Sequence, residues 1–176
     1  NIENNHDNSI PNGEKGDTYF QNAESVFTRV PLILTPGNHE DFNEFKFFSQ
    51  RYIFPLTKTT SSIHNYHFVV ANTLFLIVNY DVINATANFE ESFKNISAVL
   101  DKYDNDKSIK HRIFSTHRSH YCSDLNMSHK DAKNCQVAIL LFKPFDDLLL
   151  KHKFDMMVSS HLHFYERSQR MSNYIV

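Results

Sequence analysis

The chain has 176 residues, 41% of them apolar and 22% charged, with a formal net charge of -2. That length supports one domain with a real core, residues 1–176, and the balanced charge argues against a nucleic-acid-binding surface or an acidic solvating tail. No apolar run approaches the roughly 18 residues of a membrane span.

In chain order, residues 1–16 are polar and Asn-rich and read as irregular. Asp17 is placed to cap a helix over about 18–29, with Phe20, Ala23, Val26 and Phe27 on one face. Pro31–Thr35 is an apolar run of strand length that stops at Pro36-Gly37. Residues 41–50 read as helical, with Phe42, Phe45 and Phe48 at helical spacing. Residues 66–80 read as two strands around a turn near Asn72, and 88–103 as an amphipathic helix with Phe89, Phe93, Ile96, Val99, Leu100 and Tyr103 on one face. A short strand through Ile113-Phe114 ends at Thr116-His117. Residues 136–143 and 144–152 read as helical, with Pro144 dividing them or opening the second. Phe154–Val158 is the last predicted strand. Strands alternating with helices argue for an α/β domain, and the 16 Phe, 8 Tyr and no Trp argue for a Phe-rich core.

Three predicted strands each run into a polar cluster: "TPGNHE" (35–40), "STHRSHYCS" (115–123) and "SSHLHFYERS" (159–168). Ligands of α/β sheets bind where loops converge at the carboxyl ends of strands. Gly37 permits a tight turn that brings Asn38 and His39 inward. An Asn carboxamide oxygen is a neutral ligand for borderline or hard cations, and His39 beside it can donate a proton. His161 and His163, two residues apart in an extended segment, fall on one side and can serve one ion or two neighbouring ions. Tyr165, Glu166 and Arg167 can hold that loop. His117 ends its strand at the corresponding place, and His120 and His129 in the same loop can reach a substrate. His6, His64, His67, His111 and His152 read as surface or strand residues. No Gly-x-Ser-x-Gly elbow and no phosphate-cradling Gly-rich loop occurs. Cys122 and Cys135 can pair, bind metal or stay reduced. They lack Cys-x-x-Cys spacing, and a disulfide between them contributes about 3 kcal/mol if the protein is secreted. The sequons at Asn84, Asn95 and Asn126 permit that secretory reading.

Together these motifs resemble the purple acid phosphatases of the calcineurin-like metallophosphoesterase superfamily. Gly37-Asn38-His39-Glu40 matches one family motif in full. His117-Arg118 with Tyr121-Cys122-Ser123 matches a second, and His161-x-His163-x-Tyr165-Glu166-Arg167 a third, in the same order along most of the chain. The resemblance implies two mixed β-sheets packed face to face and flanked by helices, incomplete here at both ends. It implies hydrolysis of phosphate monoesters at a dinuclear metal centre, with a metal-activated hydroxide attacking phosphorus in line. Asn38, His117 and His161 are the implied ligands of a divalent Fe, Zn or Mn ion, and His163 of Fe(III). His39 is the implied catalytic contact to phosphate, His120 a substrate-binding candidate, and Cys122–Cys135 a disulfide. A small phosphorylated substrate and a secreted, lysosomal or vacuolar glycoprotein follow from the same likeness.

The family's Asp-x-Gly and Gly-Asp-x-x-Tyr motifs do not occur, since Gly16-Asp17 is followed by Tyr19 one place early. The chain therefore reads as a fragment, expected alone to bind metal weakly and turn over poorly. Thr116 and Ser160 stand where family members often carry Gly. The alternative readings are a nucleotidase, a phosphodiesterase or a catalytically degenerate binding domain.

Overall fold

The structure is a computed structural model that describes residues 14–40, 45–52, 65–80, 89–121, 142–162 and 165–171. Helices α1 (Glu14–Phe27) and α2 (Lys46–Arg51) precede a hairpin of β1 (Tyr66–Val70) and β2 (Thr73–Val78). Helix α3 (Phe89–Tyr103) then crosses to β3 (His111–Arg118), and helix α4 (residues 142–151) leads to β4 (Met156–Ser160). The sheet order is β1-β2-β3-β4, with β1 antiparallel to β2 and the remaining pairs parallel. Among the described residues this is one mixed sheet, so the architecture is α/β as expected, and the second sheet of the expected pair is not found among them.

The hairpin turns where its sequence asks it to. Ala71 takes φ 53, and Val70 pairs with Thr73 across a two-residue loop. The Asn72 carbonyl then accepts the N–H groups of Lys110 and His111 at 2.8 and 3.2 Å, which ties the hairpin to the start of β3. Leu74, Leu76 and Val78 alternate along β2 onto one face, where Ile96 and Leu100 of α3 and Phe145, Leu148 and Leu149 of α4 meet them and Phe114 of β3. Each such side chain stabilises the fold by about 1.5–3 kcal/mol through burial. This is the core under the two crossover helices, and it is Phe-rich: Phe145 meets Phe89 and Phe93 edge to face at 5.6 and 5.4 Å, and Phe89 stacks on Phe93 at 5.9 Å.

Several local expectations need correction. Asp17 lies inside α1, not at its cap, and pairs with Arg51 of α2 at 3.1 Å. Val26 is exposed, while Phe20 turns to Tyr52 at 5.6 Å. Helix α2 begins only after Phe45, whose φ of 62 breaks the helical backbone, and Phe42 lies outside the described residues. Residues 31–35 join no strand ladder among the described residues. The Leu34 backbone instead bonds the Tyr66 phenol, with the N–H donating at 3.3 Å and the carbonyl accepting from the hydroxyl. Burial, partly offset by that bond, pushes the Tyr66 phenol up to about 12. Phe142 and Lys143 are already helical, so Pro144 neither divides two helices nor opens one; residues 136–141 lie outside the described residues. The last strand is displaced by two residues, because Phe154 and Asp155 are used first. Phe154 N–H closes the end of α4 on the Leu149 carbonyl at 3.0 Å, and Asp155 exchanges hydrogen bonds with Arg112.

Candidate metal centre

Residues 37–40 make a turn in which Glu40 N–H donates to the Gly37 carbonyl at 3.1 Å. The buried Glu40 carboxylate folds back and accepts Gly37 N–H at 2.8 Å. Backbone and side chain of one residue thus close the turn twice, and Asn38 and His39 sit half-buried at its tip. Gly37 is needed for closeness: a Cβ there would stand 2.7–2.8 Å from three atoms of the His117 ring. Upstream, Thr35 Oγ1 and Ser115 Oγ share a hydrogen bond of 3.0 Å, which fixes the approach to the turn against β3.

The two neighbouring strands supply the rest. β3 delivers His117 to its carboxyl end, beside a register irregularity against β4 between Ser115 and Arg118. β4 ends at Ser160, and His161 leaves it with φ 72, a left-handed backbone uncommon outside glycine. That conformation turns the ring back toward β3. Asn38 Oδ1 lies 2.8 Å from His117 Nε2 and 3.1 Å from His161 Nδ1, and the two ring nitrogens are 3.1 Å apart. Three donor atoms from three segments form a nearly equilateral triangle. Atoms bound at about 2.1 Å on adjacent positions of an octahedral ion lie about 3.0 Å apart, so the triangle has the dimensions of one face of such a site.

The surroundings suit ligation by neutral imidazole. Burial first, then the neighbouring His161 ring and Arg118 guanidinium, against an opposing pull from Glu40, push His117 down to about 4. At neutral pH its ring carries no charge and offers a lone pair. Ser160 Oγ lies 3.1 Å from His117 Nδ1 and holds the far side of the ring. The Arg118 guanidinium approaches His161 Nε2 at 3.4 Å. The Ser160 side chain, where the resemblance leads one to expect Gly, thus supports the ring of a candidate ligand. Thr116, the other such position, is buried in β3.

The structure therefore brings together Asn38, His117 and His161, with His39 next to them. It parts company with two expectations. His120 does not reach a substrate: it is fully buried, its Nε2 hydrogen-bonds the Tyr80 hydroxyl, and its ring stacks on Phe142 at 5.2 Å. Burial pushes it down to about 3. Tyr165, Glu166 and Arg167 are all exposed, Tyr165 by 87%, instead of packing as a support for the loop among the described residues. The strand alternation invoked for His161 and His163 also stops at Ser160, because the positive φ at His161 ends the pleat. His163, His129, Cys122 and Cys135 lie outside the described residues. Sequence reasoning missed the clamp by Glu40 and the Ser160 support. Glu40 stands three residues after Gly37, and that spacing was the available signal.

The calcineurin-like phosphoesterase family model matches residues 7–165. Purple acid phosphatase 15 of Arabidopsis thaliana is 24% identical over 168 residues, covering 90% of this chain and 29% of its own length. Acid phosphatase type 7 of Homo sapiens is 23% identical over 176 residues, with 94% of this chain and 39% of its own length covered. Phosphoenolpyruvate phosphatase of Allium cepa is 24% identical over 181 residues, with 95% and 34% covered. The chain thus spans about a third of the length of these curated relatives. No solved structure matches it. No helix among the described residues is long and apolar enough to cross a membrane. With its motifs in family order and the match running through nearly all of it, the chain belongs to the calcineurin-like phosphoesterase family.

Proposed function

We propose that the protein hydrolyses phosphate monoesters at a metal centre to which Asn38, His117 and His161 contribute one divalent ion's ligands. The observation that carries this reading is the triangle of donor atoms 2.8–3.1 Å apart. A metal ion held there supplies Lewis acidity toward a phosphoryl oxygen and lowers the pKa of water. The chain's own residues do the rest. The Asn38 oxygen contributes no charge, so a cation bound beside it keeps its attraction for an anionic substrate. Ser160 keeps the His117 ring in place, and His39, at the tip of the clamped turn, donates a proton or hydrogen bond to the phosphate or leaving group. His163 serves a second ion, Fe(III), beside a divalent Fe, Zn or Mn.

Monoesters are preferred over diesters as substrates because the relatives named for an activity are phosphatases, one of them for phosphoenolpyruvate, itself a monoester. A secreted, lysosomal or vacuolar location and a Cys122–Cys135 disulfide belong to the same proposal. The 176 residues hold no Asp-x-Gly and no Gly-Asp-x-x-Tyr, so weak turnover is expected from these residues alone. The test is an assay of the metal-loaded protein on a phosphate monoester and a phosphate diester across pH. Monoester hydrolysis that disappears in N38A and H117A supports the reading. Diester preference would make it a phosphodiesterase, and metal-independent inertness toward both a binding domain.

A further inference from the structure

A second group of metal-ligating side chains lies at the other end of β3 and β4. Asp101 and Asp104 sit at the C-terminal end of α3, and His152 immediately follows α4, so the cluster stands near the amino ends of the two parallel strands. One potential ligand atom from each lies within 4.8 Å of the other two. Acidic residues at a helix end are common and carry little by themselves. His152 is different: its side chain is 0% exposed, where the sequence marks it as a surface or strand residue.

The two nitrogens of that buried ring are used unequally. Nδ1 lies 2.8 Å from Asp104 Oδ1, a hydrogen bond that fixes the proton on Nδ1 when the ring is neutral. Nε2 is then left with a lone pair, is buried, and has no hydrogen-bond partner. It faces Asp101 Oδ1 across 3.8 Å. That gap is too long for a hydrogen bond but spans two bonds of about 2.0–2.2 Å meeting at an ion. A carboxylate behind one ring nitrogen and an open lone pair at the other is the arrangement in which histidine binds zinc.

We propose that Asp101 and His152 Nε2 bind a divalent ion of the zinc type, with Asp104 as the positioning residue for the ring. The ion ties the end of α3 to the end of α4, independently of the strand-end site. Lys151 Nζ now pairs with Asp101 Oδ1 at 3.1 Å, and it is an exposed, flexible competitor that the ion displaces. Arg112 is directed elsewhere, its guanidinium donating to the Tyr103 carbonyl at 2.9 Å and standing 3.9 Å from Asp104.

Equilibrium dialysis of the protein against zinc tests this, in an N38A/H161A background that silences the strand-end donors. One zinc per chain is expected there, none after the further substitutions D101N and D104N, and tighter uptake after K151A. These three changes lie on exposed side chains, so the fold should survive them, and circular dichroism checks that it does. Should it not, the 15N-imidazole spectrum of the unsubstituted protein decides: zinc shifts the His152 ring nitrogens. Zinc uptake indifferent to Asp101 and Asp104, or a His152 spectrum unmoved by zinc, overturns the proposal and leaves His152 as a bridge between two carboxylates.

Discussion

His117 and His120 are three residues apart, both sealed from solvent and both pushed well below the usual imidazole range by burial. Their surroundings nevertheless divide them. His117 faces the Asn38 oxygen at 2.8 Å and the His161 nitrogen at 3.1 Å. His120 lies among the rings of Tyr80, Phe114, Tyr121 and Phe142. One is a candidate ligand, the other a core residue whose Nε2 bonds the Tyr80 hydroxyl. Burial and a lowered pKa mark both, so neither property identifies a ligand. The donor atoms across from the ring do.

Substitution should separate the two residues. H120A removes a fully buried ring and its Tyr80 bond, and should cost about 3 kcal/mol in urea unfolding while the remaining folded protein keeps its metal affinity. H117A should do the reverse, lowering metal affinity at least about 100-fold with a smaller loss of stability. A shared effect of both changes on metal affinity would dissolve the distinction.

Acid sharpens it next. Both rings are neutral in the folded metal-free protein, whereas the unfolded chain protonates them near 6.5. The unfolded state therefore binds more protons, and stability falls as pH drops through 6.5, to about 4 for His117 and about 3 for His120. Unfolding curves of H120N should show a flatter slope over that window. Added metal should steepen the acid loss through His117 and leave the contribution of His120 unchanged.

The smallest expected effect is that of S160A. Losing the hydroxyl 3.1 Å from His117 Nδ1 frees the ring to rotate, and metal affinity should fall about 10-fold with stability changed by less than about 1 kcal/mol. Isothermal titration with the metal measures the first and chemical unfolding the second.

What could be read from the sequence follows distance along the chain. The hairpin at 66–80 and helix α3 carry their own periodicity and turn chemistry, and both stand where the pattern puts them. Asn38, His117 and His161 were legible because each ends an apolar run, and strand ends converge. Features decided by distant partners were not. The run at 31–35 has a strand's composition, but the backbone of its Leu34 bonds a phenol 32 residues away. His120 looks like a loop histidine until Tyr80, 40 residues upstream, closes over it. His152 gives no local sign of burial, since Asp104 lies 48 residues before it. The backbone turn at His161 depends on a positive φ that a histidine does not advertise.

The strand-end triangle of Asn38, His117 and His161 is proposed to hold one metal ion. The most direct measurement is the 15N-imidazole spectrum of the protein during titration with zinc. The His117 and His161 ring nitrogens should shift together up to one equivalent while those of His120 stay fixed. A spectrum in which His117 and His161 do not respond, or in which His120 moves with them, would contradict it.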